Sequence, residues 1–134
     1  MIERPVPNTT DPDTGGHFQA AREGQVAVRA CTRCGQVLHL PKAYCHACGS
    51  WDTAWRSVRP AGTLWSYTTT HRQLRAGFDA PYTVVVVDLD EVPGTRLVGY
   101  LPGAPQLAIG MPMRAAFDQI DDEVSLPRWE PFTS

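Results

Sequence analysis

Lysine is almost missing from this chain: Lys42 is the only one, and arginine supplies the rest of the 12 basic side chains, against 14 acidic ones. With a net charge of -2, the chain has no broad electrostatic pull toward nucleic acid or anionic lipid. Long apolar runs are missing too. The longest, Val84 to Val87, is strand-sized and far short of the roughly 18 residues a membrane span requires. Met1 to Pro5 show no basic region followed by an apolar stretch, so the chain is expected in the cytoplasm with no membrane partner. A reducing cytoplasm disfavours paired structural disulfides. Catalytic signatures are equally scarce. There is no Gly-rich phosphate loop, Ser66 and Ser125 sit in no recognised nucleophile setting, and His71 reads as a polar strand-end residue. The acidic run Asp118, Asp121, Asp122 and Glu123 reads as a solvated turn.

What is present is a globular composition, 43% hydrophobic against 19% charged, in a length of 134 residues that suits one domain or two small modules. Two modules are expected, because the four cysteines fall into one short stretch. They form Cys31-Thr32-Arg33-Cys34-Gly35 and Cys45-His46-Ala47-Cys48-Gly49, with ten residues between the pairs. Each Cys-x-x-Cys puts two thiolates on a tight turn that fits adjacent corners of a zinc tetrahedron. The glycine after each second cysteine permits positive φ while backbone N–H groups turn toward sulfur. Disulfides or a redox-active pair are the alternative use, and they suit the compartment less well. Four thiolates would close the coordination sphere, so the zinc is expected to be structural and without chemistry of its own. His39 and His46 are better read as surface or packing residues than as replacement ligands.

Residues 1–13, rich in Pro, Asp, Asn and Thr, read as an extended or mobile arm. Thr14 can cap a short helix that Gly24 stops, and Gln25 to Ala30 alternates as a strand entering the first cysteine pair. Gln36 to Leu40 and the segment after Ser50 are expected to supply the ribbon's small strands. The domain reading is thus helix and ribbon over 14–58, then a β-rich unit with a C-terminal tail over 59–134. In that unit strands are expected near Thr63–Arg72, Tyr82–Asp90, Arg96–Leu101, Met111–Ile120 and Ser125–Arg128, with a tight turn at Pro93-Gly94. Five strands with one hairpin and a longer third connection fit an OB-fold. The run Thr83 to Val87 loses alternation, so both faces of that strand are expected to be covered.

Arg59, Arg72 and Arg75 gather in sequence around the first of these strands and its following loop. Arginine forks suit phosphate, so a CoA thioester or single-stranded nucleic acid could use them, and ordinary surface arginine is the plain alternative. Tryptophans and tyrosines crowd the same unit, as core or interface residues. The tail from Leu126 to Phe132 sets Trp129 and Phe132 among prolines and must pack back or dock on another protein.

Taken as an ordered set, these motifs resemble a known family. The Phe18-containing helix, the two cysteine motifs, Gly62-Thr63-Leu64-Trp65-Ser66-Tyr67-Thr68, Ala80-Pro81-Tyr82-Thr83-Val84, Gly110-Met111-Pro112-Met113 and Leu126-Pro127-Arg128-Trp129-Glu130-Pro131 are similar to small bacterial and archaeal proteins. Those proteins join a rubredoxin-like zinc ribbon to an acyl-CoA-associated OB-fold. The resemblance spans residues 14–132. It implies a non-catalytic accessory subunit of a thiolase-superfamily (lipid-transfer-protein-like) enzyme, including steroid side-chain aldolases that cleave a carbon–carbon bond by retro-aldol chemistry. It implies structural zinc on Cys31, Cys34, Cys45 and Cys48, a CoA thioester shared with the partner, and a two-plus-two heterotetramer. Candidate CoA contacts are Arg59, Arg72 and Arg75, and candidate partner contacts are Phe18, Trp65, Phe78, Tyr82 and Trp129. The competing functions are a single-stranded nucleic-acid-binding module, which the acidic balance disfavours, and a free-standing acyl-CoA enzyme.

Overall fold

A computed structural model describes residues 5–132; the expectation of an arm at positions 1–4 lies outside the described residues. Helix α1 (Gly15–Arg22) ends at Gly24, whose φ of 71° and N–H bond to the Ala21 carbonyl at 3.1 Å make the expected left-handed stop. At its start Thr14 occupies the cap position without a side-chain bond. Asp11 does the work instead: its carbonyl accepts from Gly15 N at 2.7 Å and its Oδ1 from Thr14 N at 3.3 Å. The preceding residues depart from the expected free arm. Asn8 and Asp11 each accept a backbone N–H two residues on, and the Thr9 carbonyl accepts from Gln19 Nε2 at 2.6 Å. The Asn and Asp content that argued against a packed element supplies the side-chain turns that fasten the segment to α1.

Strands β1 (Val26–Cys31) and β2 (Thr53–Val58) pair antiparallel from Val26↔Val58 to Cys31↔Thr53, so both cysteine turns are an insertion carried at one end of a hairpin. Of the two expected ribbon strands, the segment after Ser50 is β2, whereas the one at Gln36 to Leu40 is corrected. Gln36 to Leu40 contributes a single bridge, Ala30↔Val37, because its backbone groups close the first cysteine turn. Helix α1 lies against β2 at Gly16, where the Trp55 indole leaves no space for a Cβ.

The second sheet contains β3 (Ala61–Thr70), β4 (Tyr82–Leu89), β5 (Arg96–Pro102), β6 (Pro112–Gln119) and β7 (Ser125–Pro131), all antiparallel in the order β5-β4-β3-β6-β7. Gly62 makes this order possible. It faces Leu89 of β4 and Met113 of β6, and the Asp88 carbonyl and Val87 occupy the place of a side chain. The two edge strands meet where Trp129 of β7 lies over Gly99 of β5, which curls the sheet into the five-stranded OB barrel. Val92-Pro93-Gly94-Thr95 is a tight turn with Gly94 at φ 89° and a Thr95 N to Val92 O bond of 3.1 Å.

Two expectations change here. Strand β7 runs to Pro131, so the aromatic tail is the fifth strand and pairs with β6 along its length. Its prolines are tolerated because it takes hydrogen bonds from one side only. In β4 the apolar run does alternate: Thr83, Val85, Val87 and Leu89 are buried, whereas Tyr82, Val84 and Val86 are half-buried on the outer face. Val26, Val28 and Val58 join Leu64, Val85 and Trp129 in one hydrophobic cluster, so the hairpin and the barrel share a core.

Candidate metal centre and binding surfaces

The cysteine turns are near copies. Cys31 N bonds the Gln36 carbonyl at 2.9 Å and Cys45 N the Ser50 carbonyl at 2.8 Å; Gly35 N returns to the Cys31 carbonyl and Gly49 N to the Cys45 carbonyl. Both glycines have positive φ, 81° and 77°. These turns bring four Sγ atoms within 4.8 Å of one another, with Cys31 to Cys48 and Cys34 to Cys45 each at 3.6 Å. A disulfide would need about 2.05 Å. A tetrahedral ion with Zn–S bonds of about 2.3 Å places its sulfurs about 3.8 Å apart, which this arrangement approaches. The donor set therefore fits zinc, and His39 and His46 are outside it.

The electrostatics agree. The Cys34 backbone N–H, 3.5 Å from Cys31 Sγ, leads the interactions that bring the Cys31 thiol down to about 6. At Cys48 the Ser50 backbone N–H pulls the other way, but desolvation and the three neighbouring sulfurs raise the thiol to about 12. One thiolate forms readily and the last resists. A bound cation favours the thiolate form of its sulfur ligands, so metal uptake displaces protons.

The arginines do not form one cluster. Arg72 and Arg75 are exposed in the β3–β4 loop. Arg59 stands at the opposite end of β3, a ten-residue strand that spans roughly 30 Å. Its backbone N–H bonds Glu91 Oε1 at 2.9 Å, and Arg56 pairs with the same carboxylate. Proximity in sequence misled because the strand between them is extended.

Of the aromatic candidates, Trp65 is 51% exposed, while Phe18, Phe78 and Tyr82 are half-buried and still reach the surface. Trp129 is corrected: at 1% exposure it belongs to the core and not to the accessible surface. Sequence reasoning passed over Val98, 72% exposed, and Arg96, whose guanidinium lies 4.1 Å above the Trp65 ring. The signal was the alternation of Leu97, Gly99 and Leu101, which puts Val98 outward. A groove of about 440 Å³ runs from this face to α1 between Phe18, Tyr100 and Pro127.

Comparison with known proteins bears on this geometry. Residues 18–52 match the family model described as the ChsH2 rubredoxin-like zinc ribbon domain, and residues 55–118 match the ChsH2 C-terminal OB-fold domain. The chain belongs to the ChsH2 zinc-ribbon and OB-fold family. A solved structure titled Ltp2-ChsH2(DUF35) aldolase is similar at 33% identity and a TM-score of 0.83, covering 96% of this chain and 98% of that one. A DUF35-family protein of unknown function from Sulfolobus solfataricus shares the fold alone, with 16% identity and a TM-score of 0.60 over 92% of this chain and 86% of that one. A probable enoyl-CoA hydratase alpha subunit of Thermomonospora curvata is 37% identical over 123 residues, covering 89% of this chain. The 3-oxo-4,17-pregnadiene-20-carboxyl-CoA hydratase alpha subunit of Mycobacterium tuberculosis is 39% identical over 72 residues, or 52% of this chain. The chain spans 37% and 22% of the lengths of these two relatives. Among the described residues no helix is long and apolar enough to cross a membrane.

Proposed function

We propose that this chain is a non-catalytic accessory subunit of a thiolase-like, lipid-transfer-protein-like enzyme and helps form that enzyme's acyl-CoA site. The reaction served is carbon–carbon bond cleavage, such as retro-aldol removal of a steroid side chain. The observation that carries the reading is the likeness, end to end, to the ChsH2 chain of an Ltp2-ChsH2 aldolase. The CoA-linked names of the two hydratase relatives support the substrate class. Cys31, Cys34, Cys45 and Cys48 hold a structural zinc, which leaves no sulfur for nucleophilic work.

Arg72 and Arg75 approach the CoA phosphates, and Arg59, committed to the far end of β3, does not join them. Phe18, Trp65, Phe78 and Tyr82 are the partner contacts. The enzyme's chemistry belongs to the partner, in a two-plus-two assembly in the cytoplasm. Co-expression with the Ltp2 protein of the solved aldolase tests this. The expected result is a stable complex that cleaves a β-hydroxyacyl-CoA, with neither chain pair-independent and this chain inactive alone. Turnover by the isolated chain, or no complex, would overturn it. In the complex, Arg72→Ala/Arg75→Ala is expected to raise KM for the CoA thioester about tenfold or more with kcat nearly unchanged, the signature of lost uniform binding.

A further inference from the structure

The geometry points to the outer face of β3, β4 and β5 as the surface on which the partner protein docks, with Val98 and Trp65 at its centre. This rests on the accessory-subunit reading and adds where the contact lies. Pairing fixes the face: Val86 stands opposite Val98, Val84 opposite Tyr100, and Ser66 opposite Val86. Residues directly opposite one another project to the same side of a sheet. The intervening residues Val85, Val87, Leu97 and Leu101 fill the barrel, so the valines that alternate with them look out. The register of β3 shifts between Leu64 and Ser66, and Trp65 is the extra residue. That bulge sets Trp65 beside Arg96, which is held in turn by Asp88 at 3.2 Å.

The chemistry of the face selects its occupant. The second and third strands of an OB barrel, here β4 and β5, are the usual ligand side of the fold. A nucleic-acid face would carry stacked aromatics along a basic groove. This one has an aliphatic centre of Val84, Val86 and Val98, its aromatics Phe78, Tyr82 and Tyr100 pack against one another, and its one stacked arginine is neutralised by Asp88. Trp, Tyr and Arg around an exposed aliphatic middle is the composition of a protein–protein hot spot.

The face is also tied to the arginine loop. Phe78, from the β3–β4 loop, lies 5.2 Å from the Tyr100 ring and 6.1 Å from that of Tyr82. A protein seated on β4 and β5 therefore presses on the loop that carries Arg72 and Arg75. Docking here brings both guanidinium groups to the partner's surface, where a CoA phosphate can meet them.

The test measures affinity for the Ltp2 protein of the solved aldolase by calorimetry, using the full chain. Val98→Glu and Trp65→Ala are each expected to weaken binding at least tenfold, whereas Trp51→Ala, on the exposed ribbon surface, binds as the parent does. Zinc content and melting temperature check the fold of each variant, and Val98→Lys provides a second disruption of opposite charge. Parent binding with unchanged affinity in all the outer-face variants would overturn the docking face and leave the accessory reading standing. Absence of binding by the parent would overturn that reading and the face with it. A homodimer broken by Val98→Glu, or oligo(dT) binding lost in the same variant, would also overturn the inference by assigning the face to a second copy or to nucleic acid.

Discussion

Trp129 is packed onto Gly99, so that a Cβ at position 99 would fall inside van der Waals contact with the indole. This pairing joins β7 to β5 and closes the barrel around a tryptophan that is 1% exposed. Gly99→Ala should therefore destabilise by overpacking, by about 1–3 kcal/mol, although glycine-to-alanine exchange in a strand is otherwise favourable. Trp129→Ala should cost about 3–5 kcal/mol through the cavity it leaves. Denaturant midpoints of the two variants check both values. A gain in stability for Gly99→Ala would mean that the barrel seam is looser than this contact implies.

Position 129 also marks where sequence reading stops. The prolines around Trp129 argue against a strand when each residue is judged alone, so the expected last strand stops at Arg128 and the rest reads as a tail. On an edge strand with one hydrogen-bonding neighbour the same prolines cost nothing, but which strand is an edge is a property of the whole barrel. The cysteine site was legible because all its determinants, the paired thiols and the following glycines, are local. The five barrel strands were legible from turn residues and β-branched runs. Arg59 lies apart from Arg72 and Arg75 for the opposite reason: nearness in sequence becomes distance when an extended strand intervenes.

Removal of one ligand should show what the metal holds. Cys45 is fully buried with Leu38 and Cys31 in a small cluster of its own, so the ribbon tip has little other core. Cys45→Ala is expected to lose the metal, lowering zinc from about one equivalent per chain, and to melt the tip. Structural zinc binds with about 10–16 kcal/mol in zinc-finger peptides at pH 7. The β1–β2 hairpin shares the barrel core and should survive. Metal analysis with amide exchange separates the two regions; protection retained across both cysteine turns without zinc would contradict a structural role for the metal.

Acid should release the same metal, since protons compete for the thiolates as pH falls. A zinc-binding titration from pH 8 to pH 5 with a colorimetric chelator should show affinity falling throughout, more steeply than one proton per metal. Proton release on zinc addition at pH 7 is the direct check. A pH-independent affinity would mean that the four sulfurs are not the ligands.

A second acid dependence belongs to the barrel. Glu130 accepts from Arg128 Nη1 at 2.9 Å and from Arg114 Nε at 2.8 Å, while Arg128 Nε reaches both oxygens of Asp118 at 3.0 and 3.1 Å. Arg128 first, then Arg114, holds the Glu130 carboxyl below its ordinary value of 4.5. A carboxylate with a lowered folded pKa contributes stability that is complete above the unfolded value and is lost as pH falls through the folded one. The contribution should thus be intact at pH 6, begin to fall near pH 4.5 and be lost as pH drops through the lower folded value. Because these side chains remain partly exposed, its size should be about 1 kcal/mol. Glu130→Gln removes the charge at nearly constant shape, so the variant should be less stable than the parent at pH 6 and converge with it toward pH 3. Parallel stability curves across that range would show that the ion pairs joining β6 to β7 contribute nothing net, leaving Trp129 and the backbone ladder to hold the last strand in place.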